Sequence, residues 1–223
     1  LQIGRGVRIV GVARDLTQGA IVPSVNPLSL ALHGDGLYMV AGQSEEPLFT
    51  RAGQFQLNGR GEIVTPTGER LLGYGVDAQF RIDDSGLTPL AIPLGSTIAG
   101  MDGSPVTMTG YAITENGVVE GRYSDGIVRT LGRIRIATFN NPGGLVGAGD
   151  NLWAEGVNSG PPIENNPGSN GAGTIVAGAV ELSNTDIGEE IVELTLASTH
   201  FKANAEVFRT ADSLLDELMH IRR

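Results

Sequence analysis

The chain has no cysteine among its 223 residues, so disulfides, thiolate catalysis and cysteine-ligated metals are excluded. Basic residues are also few. Fifteen Lys and Arg stand against 25 Asp and Glu, for a net charge of −10, and no basic cluster is longer than Arg222-Arg223. Nucleic acid and anionic membrane surfaces demand a basic face, so neither is an expected partner. Histidine occurs three times, at His33, His200 and His220, too few and too scattered for a His-centred catalytic or metal site. Aromatics make up 5% of the chain, with Trp153 the single tryptophan, which argues against an aromatic-lined sugar groove. No apolar run approaches the ~18 residues of a membrane span, so no membrane insertion is expected. The first residues lack the charged-then-apolar layout of a cleavable signal. They open instead in a strand-like stretch, Val7 to Val12, as expected of a fragment whose native start is missing.

What the chain has in quantity is glycine, 33 residues, with 11 prolines. Much of this glycine sits in turn-forming pairs such as Asn116-Gly117 and Asp125-Gly126, the signature of short strands joined by tight hairpins. Strand-like stretches run from Gly36 to Val40, Leu48 to Arg51, Gln54 to Leu57, Ile63 to Pro66 and Leu71 to Gly73. A second series covers Thr107 to Thr114, Val118 to Tyr123, Ile127 to Thr130 and Ile134 to Phe139. Pro89 to Gly103 reads as a connection between the two, and Thr174 to Val180 as a last short strand. The expected fold is mainly β, a β-rich body with an extended strap and a long C-terminal α-helix. Its expected divisions are an arm over 1–22, the body over 23–156, a Gly/Pro/Asn-rich strap over 157–182 and the helix over 183–223. Both ends must leave the body together, so the arm is expected to run beside the strap.

The helix is the most informative segment. An apolar residue returns every seventh position at Ile187, Leu194, Phe201, Phe208 and Leu215, with Ile191 and Leu218 alongside. A seven-residue repeat keeps one seam turned toward a partner helix, whereas an ordinary 3.6 spacing lets it drift. Small residues in the neighbouring positions, Ala197, Ala205 and Ala211, suit close interlocking packing. Asp186 followed by Glu189 forms the start signal of a capping box. The predicted helix is about 36 residues and roughly 54 Å long. No comparable helical segment exists elsewhere in the sequence, so these seven residues are read as an assembly interface. An amphipathic helix folded onto its own body is the plainer alternative.

Residues that could carry chemistry have simpler explanations. Asp83-Asp84-Ser85-Gly86 and Asn165 to Gly171 offer oxygen ligands without calcium-loop spacing and read as turns. Gly171-Ala172-Gly173 lacks the third glycine of a dinucleotide fingerprint and precedes a strand. Glu45-Glu46 and Glu189-Glu190 read as solvated acids, and His33 before Gly34-Asp35-Gly36 as part of a turn. No active site, metal or cofactor is expected. An extracellular carbohydrate-binding β-module remains the competing function from another class.

Several blocks together resemble the bacterial flagellar axial proteins, the hook and rod group. Near the front these are Gly4-Arg5-Gly6-Val7, Thr17-Gln18-Gly19, Asn26 to Ala31, Gly34-Asp35-Gly36 and Phe49 to Asn58. Later come Gly121 to Gly126, Leu131 to Ile134, Phe139 to Leu145, Gly149 to Trp153, Ala203-Asn204-Ala205 and Thr210-Ala211-Asp212. Of the later blocks, Gly149 to Trp153 fits either branch and the others look most like the hook, the preferred branch. The brief link after Ile92-Pro93-Leu94-Gly95, where hooks commonly insert an outer domain, resembles the distal rod. The family also carries an N-terminal helix ahead of the arm, which this sequence lacks. The resemblance implies a structural subunit, a homo-oligomer stacked helically into a hollow tube, whose neighbours are other axial and junction proteins. It further implies export through the flagellar export apparatus and residence in the hook–basal body.

Overall fold

The computed structural model describes residues 17–42, 46–99 and 104–221. The strand expected over Val7–Val12 lies outside them. The chain divides into two compact units, Leu1–Leu182 and Ser183–Arg223. It is mainly β, with one long C-terminal helix.

The first unit is built from β1 (Ile21–Pro23), β2 (Leu30–His33), β3 (Leu37–Ala41), β4 (Pro47–Thr50), β5 (Gln56–Leu57), β6 (Ile63–Val64) and β7 (Arg70–Val76). It continues with β8 (Ile82–Pro89), β9 (Thr97–Ala99), β10 (Pro105–Ile113), β11 (Val118–Tyr123), β12 (Val128–Ile134) and β13 (Ile136–Thr138). Then follow β14 (Val146–Gly149), β15 (Leu152–Ala154), β16 (Ile163–Asn165), β17 (Thr174–Ala177) and β18 (Ala179–Glu181). The main sheet runs in the order β14-β15-β4-β3-β7-β12-β11-β10-β9, antiparallel throughout.

Hairpin chemistry explains its regular half. Gly117 and Gly126 take φ of 76° and 79° and donate to Thr114 O and Tyr123 O, closing the turns on either side of β11. Within β11, Val119 and Tyr123 are buried while Arg122 is exposed, the alternation of a strand with one face on a core.

Strand alternation also divides the apolar residues into two clusters. In β3, Tyr38 and Val40 join the larger cluster with Leu30, Phe55, Leu71, Ile134 and Ile175, while Met39 joins Phe49, Leu72, Phe139 and Leu145. Successive residues of a strand point to opposite faces, so the sheet has apolar packing on both. Edge-to-face rings mark each cluster, Tyr38 with Phe55 at 5.2 Å and Phe49 with Phe139 at 4.8 Å. Trp153 packs half-buried against the second cluster on β15, next to the edge strand β14.

Several segments depart from the sequence expectation. Asp83 to Gly86, expected as a turn, lies within β8 as an exposed excursion between the pairs Tyr74↔Leu87 and Val76↔Ile82. The connection expected over Pro89 to Gly103 contains β9. The loop expected over Val157 to Gly173 contains β16, which pairs with β13, while the strand expected over Thr174 to Val180 is present as β17 on β2 and β18 on β1. The Asn and Ser content of the loop is used in pairing and turns. Asn165, 3% exposed, donates from Nδ2 to Thr138 Oγ1, and Ser169 and Ala172 close consecutive backbone turns. The register Ile21↔Glu181 lays β1 along β18, so the arm runs beside the end of the strap from Ile21 to Pro23.

The second unit is α1 (Ile187–Ile221), 35 residues. Asp186 Oδ1 accepts from Gly188 N at 2.8 Å and Glu189 N at 3.4 Å, satisfying orphan amides of the first turn. Thr195, Thr199 and Thr210 turn their hydroxyls back onto the carbonyls of Ile191, Thr195 and Glu206, which satisfies these polar side chains within the helix itself. Among the described residues, no helix is long and apolar enough to cross a membrane.

Candidate functional site

All seven residues singled out for assembly lie on α1. Ile187, Leu194, Phe201, Phe208 and Leu215 follow one another at seven-residue steps, each rotated about 20° from the last on a straight helix. Ile191 and Leu218 sit one turn from Ile187 and Leu215 on the same stripe. All seven are exposed; the rings of Phe201 and Phe208 are 76% and 73% exposed. Isolated exposed apolar residues are ordinary on protein surfaces, but a stripe of them from Ile187 to Leu218 is a larger apolar surface left facing water.

A second constellation sits where β1 and β18 leave the body. Arg51, just after β4, binds Glu181 through two nitrogens of one guanidinium edge, Nε to Oε2 at 2.7 Å and Nη2 to Oε1 at 3.4 Å. The same guanidinium donates to Gly36 O at 2.6 Å and Leu32 O at 3.1 Å. Glu181 also accepts from Gly19 N at 3.0 Å. Gln18 completes the group, donating from Nε2 to Leu32 O and accepting from Gly34 N, both at 3.0 Å. The Glu181 side chain is only 10% exposed, and a carboxylate so covered is stable because a fork-shaped cation and an amide occupy its oxygens. Tyr38 lies beneath, with its hydroxyl donating to Leu30 O at 2.9 Å. Burial pushes its phenol well above the usual value, with the Arg51 charge opposing and the Glu181 charge adding, so it stays a permanent donor.

Sequence reasoning singled out neither Arg51 nor Glu181 for a role. They are 130 positions apart, and the pairing of β17 with β2, continued by the bonds of Gly178 N and Ala179 N to Ser29 O, brings β18 and its Glu181 to Arg51. Among the described residues no group of three or more His, Asp or Glu could hold a metal ion. His33 ends β2 as an exposed residue, and His200 and His220 are exposed on α1. The arrangement is that of a scaffold with a long apolar stripe and a charged junction.

Comparison with known proteins gives this scaffold its place. Residues 31–121 match the family model of the flagellar hook protein FlgE/F/G D1 domain, and residues 176–221 that of the flagellar basal body rod FlgEFG protein C-terminal region. The flagellar basal-body rod protein FlgG of Caulobacter vibrioides is 32% identical over 100% of this chain and 75% of its own length. That of Buchnera aphidicola is 31% identical over 99% and 75%. The flagellar hook protein FlgE of Borreliella burgdorferi is 41% identical over 52% of this chain and 26% of its own length. The chain belongs to the bacterial flagellar hook and basal-body rod family, whose members are structural components of the flagellum and not enzymes.

Proposed function

We propose that the chain is a rod-type subunit, stacking helically with copies of itself into a stiff, hollow axial tube. The observation that carries this choice is coverage. Rod relatives match through the β body and the helix alike, across essentially the whole chain, whereas the hook match spans about half of it. The short link between β8 and β9, residues 90–96, supports the same choice, because hook proteins commonly carry an outer domain near this point. In this reading Ile187, Ile191, Leu194, Phe201, Phe208, Leu215 and Leu218 form the assembly interface with helices of neighbouring copies. Other axial and junction proteins adjoin the tube, and the subunit reaches it through the flagellar export apparatus.

The hook is the second reading, favoured by the blocks Gly121 to Gly126 and Phe139 to Leu145. The two differ mechanically: a rod locks the contacts between bodies, whereas a hook lets them slide as it bends. Electron microscopy of the native protein polymerised in vitro separates them. Straight tubes that keep their form under shear are expected. Curved tubes of variable radius would assign the chain to the hook instead.

A further inference from the structure

The ribbon of β1 and β18 is a two-stranded sheet of its own, outside the main sheet. Its antiparallel register, Ile21↔Glu181, puts the segment before Ile21 and the segment after Glu181 at the same end. Tension entering through those two segments therefore meets the cross-strand bonds one after another, the geometry in which a hairpin peels at low force. The far end of the ribbon is tied to the body by backbone bonds, Gly178 N to Ser29 O at 2.8 Å and Ala179 N to Ser29 O at 3.2 Å. At the loaded end the ribbon is continued beyond Ile21↔Glu181 by the bond from Leu182 N to Ala20 O at 2.9 Å, beside the Gly19 contact.

At that loaded end the side-chain group around Arg51 changes the mechanics. On one exiting segment Gln18 holds Leu32 O and Gly34 N. On the other, Glu181 is held by Arg51, whose remaining donors hold Leu32 O and Gly36 O. Both segments thus grip the same stretch, Leu32 to Gly36, which leads directly into β3 near the centre of the main sheet.

We propose that the Arg51–Glu181 pair, with Gln18 across the ribbon, is a mechanical latch that passes load from the two exiting segments into the β2–β3 turn and the central sheet, and so keeps the ribbon from peeling. The latch takes its load from membership of an axial family and is independent of the choice between rod and hook. It is measured on single chains, so its failure leaves the assembly reading standing, and failure of tube formation leaves the latch untouched.

The test is single-molecule pulling on the full chain in two geometries. Handles at Leu1 and Arg223 load the ribbon, whereas handles at Ala78 and Asp150, exposed turn residues of the body, bypass it. Glu181→Gln, which keeps the shape and removes the charge, is expected to add an early low-force release in the first geometry and leave the second unchanged. Hydrogen exchange in the same variant is expected to quicken about tenfold or more over residues 20–23 and 179–182, the factor for losing one charge-assisted bond, with β3 and β7 unaffected. Gln18→Ala, which touches no ion pair, is expected to act in the same direction and serves where a charge variant does not fold. Equal weakening in both geometries would make the pair a general stabiliser, and unchanged pulling in both would leave it without a mechanical role; either result overturns the latch.

Discussion

Phe80 shows how one residue can be held against its own backbone preference. It takes φ of 59°, a left-handed conformation in which a β-carbon crowds the carbonyl and costs roughly 1–2 kcal/mol. Asp77 imposes that conformation, with its carboxylate accepting from Gln79 N and Arg81 N at 2.8 and 2.9 Å while its carbonyl accepts from Phe80 N. The ring is directed toward Arg129 and Tyr123, with the Arg129 Cζ 5.8 Å from the Phe80 centroid and 4.8 Å from that of Tyr123. Arg129 is fixed in turn by its paired bonds to Asp125, which also hold the Asp125 carboxyl below the usual range. A cation–ring contact at such a half-open site contributes about 0.5–1 kcal/mol, less than the backbone cost. Phe80→Gly, which relieves the strain, is therefore expected to be close to neutral. Phe80→Ala keeps the strain, loses the ring, and is expected to be about 1 kcal/mol less stable than the glycine variant. Urea denaturation of the two orders them, and a glycine variant as weak as the alanine one would show that strain is not the dominant cost.

At the scale of elements the decisive contact is between β7 and β12, which joins the early strands to the β10–β11–β12 meander. Their register places Arg133 opposite Tyr74 and Ile134 opposite Gly73. A β-carbon at Gly73 would lie 2.2 Å from Arg133 O and 2.7 Å from Leu90 Cδ1, so the strands could not keep their spacing. Gly73→Ala is expected to cost roughly 2 kcal/mol or more, read as a drop in the thermal midpoint of the body. A midpoint equal to that of the parent would mean the two strands separate freely there. Such junctions also mark where the sequence stops being legible. The hairpins flanking β11 could be read from Asn116-Gly117 and Asp125-Gly126, because turn chemistry is local. The length of β8 could not, since Asp83-Asp84-Ser85-Gly86 has turn composition and becomes strand only where Ile82 and Leu87 meet β7 on either side. β16 is hidden for the same reason, because its partner β13 lies about 25 residues earlier, whereas β17 and β18 fall on the stretch Thr174 to Val180 that reads as a strand and only their partners β2 and β1 are not legible. The apolar stripe of α1 was visible because its evidence is a spacing within one segment. The group around Arg51 was not, because its members come from positions 18, 51 and 181.

At the scale of the whole molecule the two units answer to different tests. The apolar clusters of the body draw on residues from Leu28 to Ile175, none of them from α1, so the body has a core of its own. Deleting residues 184–223 is accordingly expected to leave cooperative unfolding of the body intact. Single substitutions on the stripe sharpen the point. Phe201 and Phe208 are exposed in the chain by itself, so Phe201→Ala and Phe208→Ala remove little packing from the monomer. Once covered by a neighbouring helix each ring is a core residue, where truncation to alanine costs about 3–5 kcal/mol, and in a helical polymer the loss recurs at every subunit. Both variants are therefore expected to melt with the parent yet fail to form tubes, or to form them only at much higher protein concentration. Thermal melts beside a sedimentation assay of polymer decide it. If the melting temperature falls sharply while tubes form normally, the stripe belongs to the fold of the single chain and assembly is carried by some other surface.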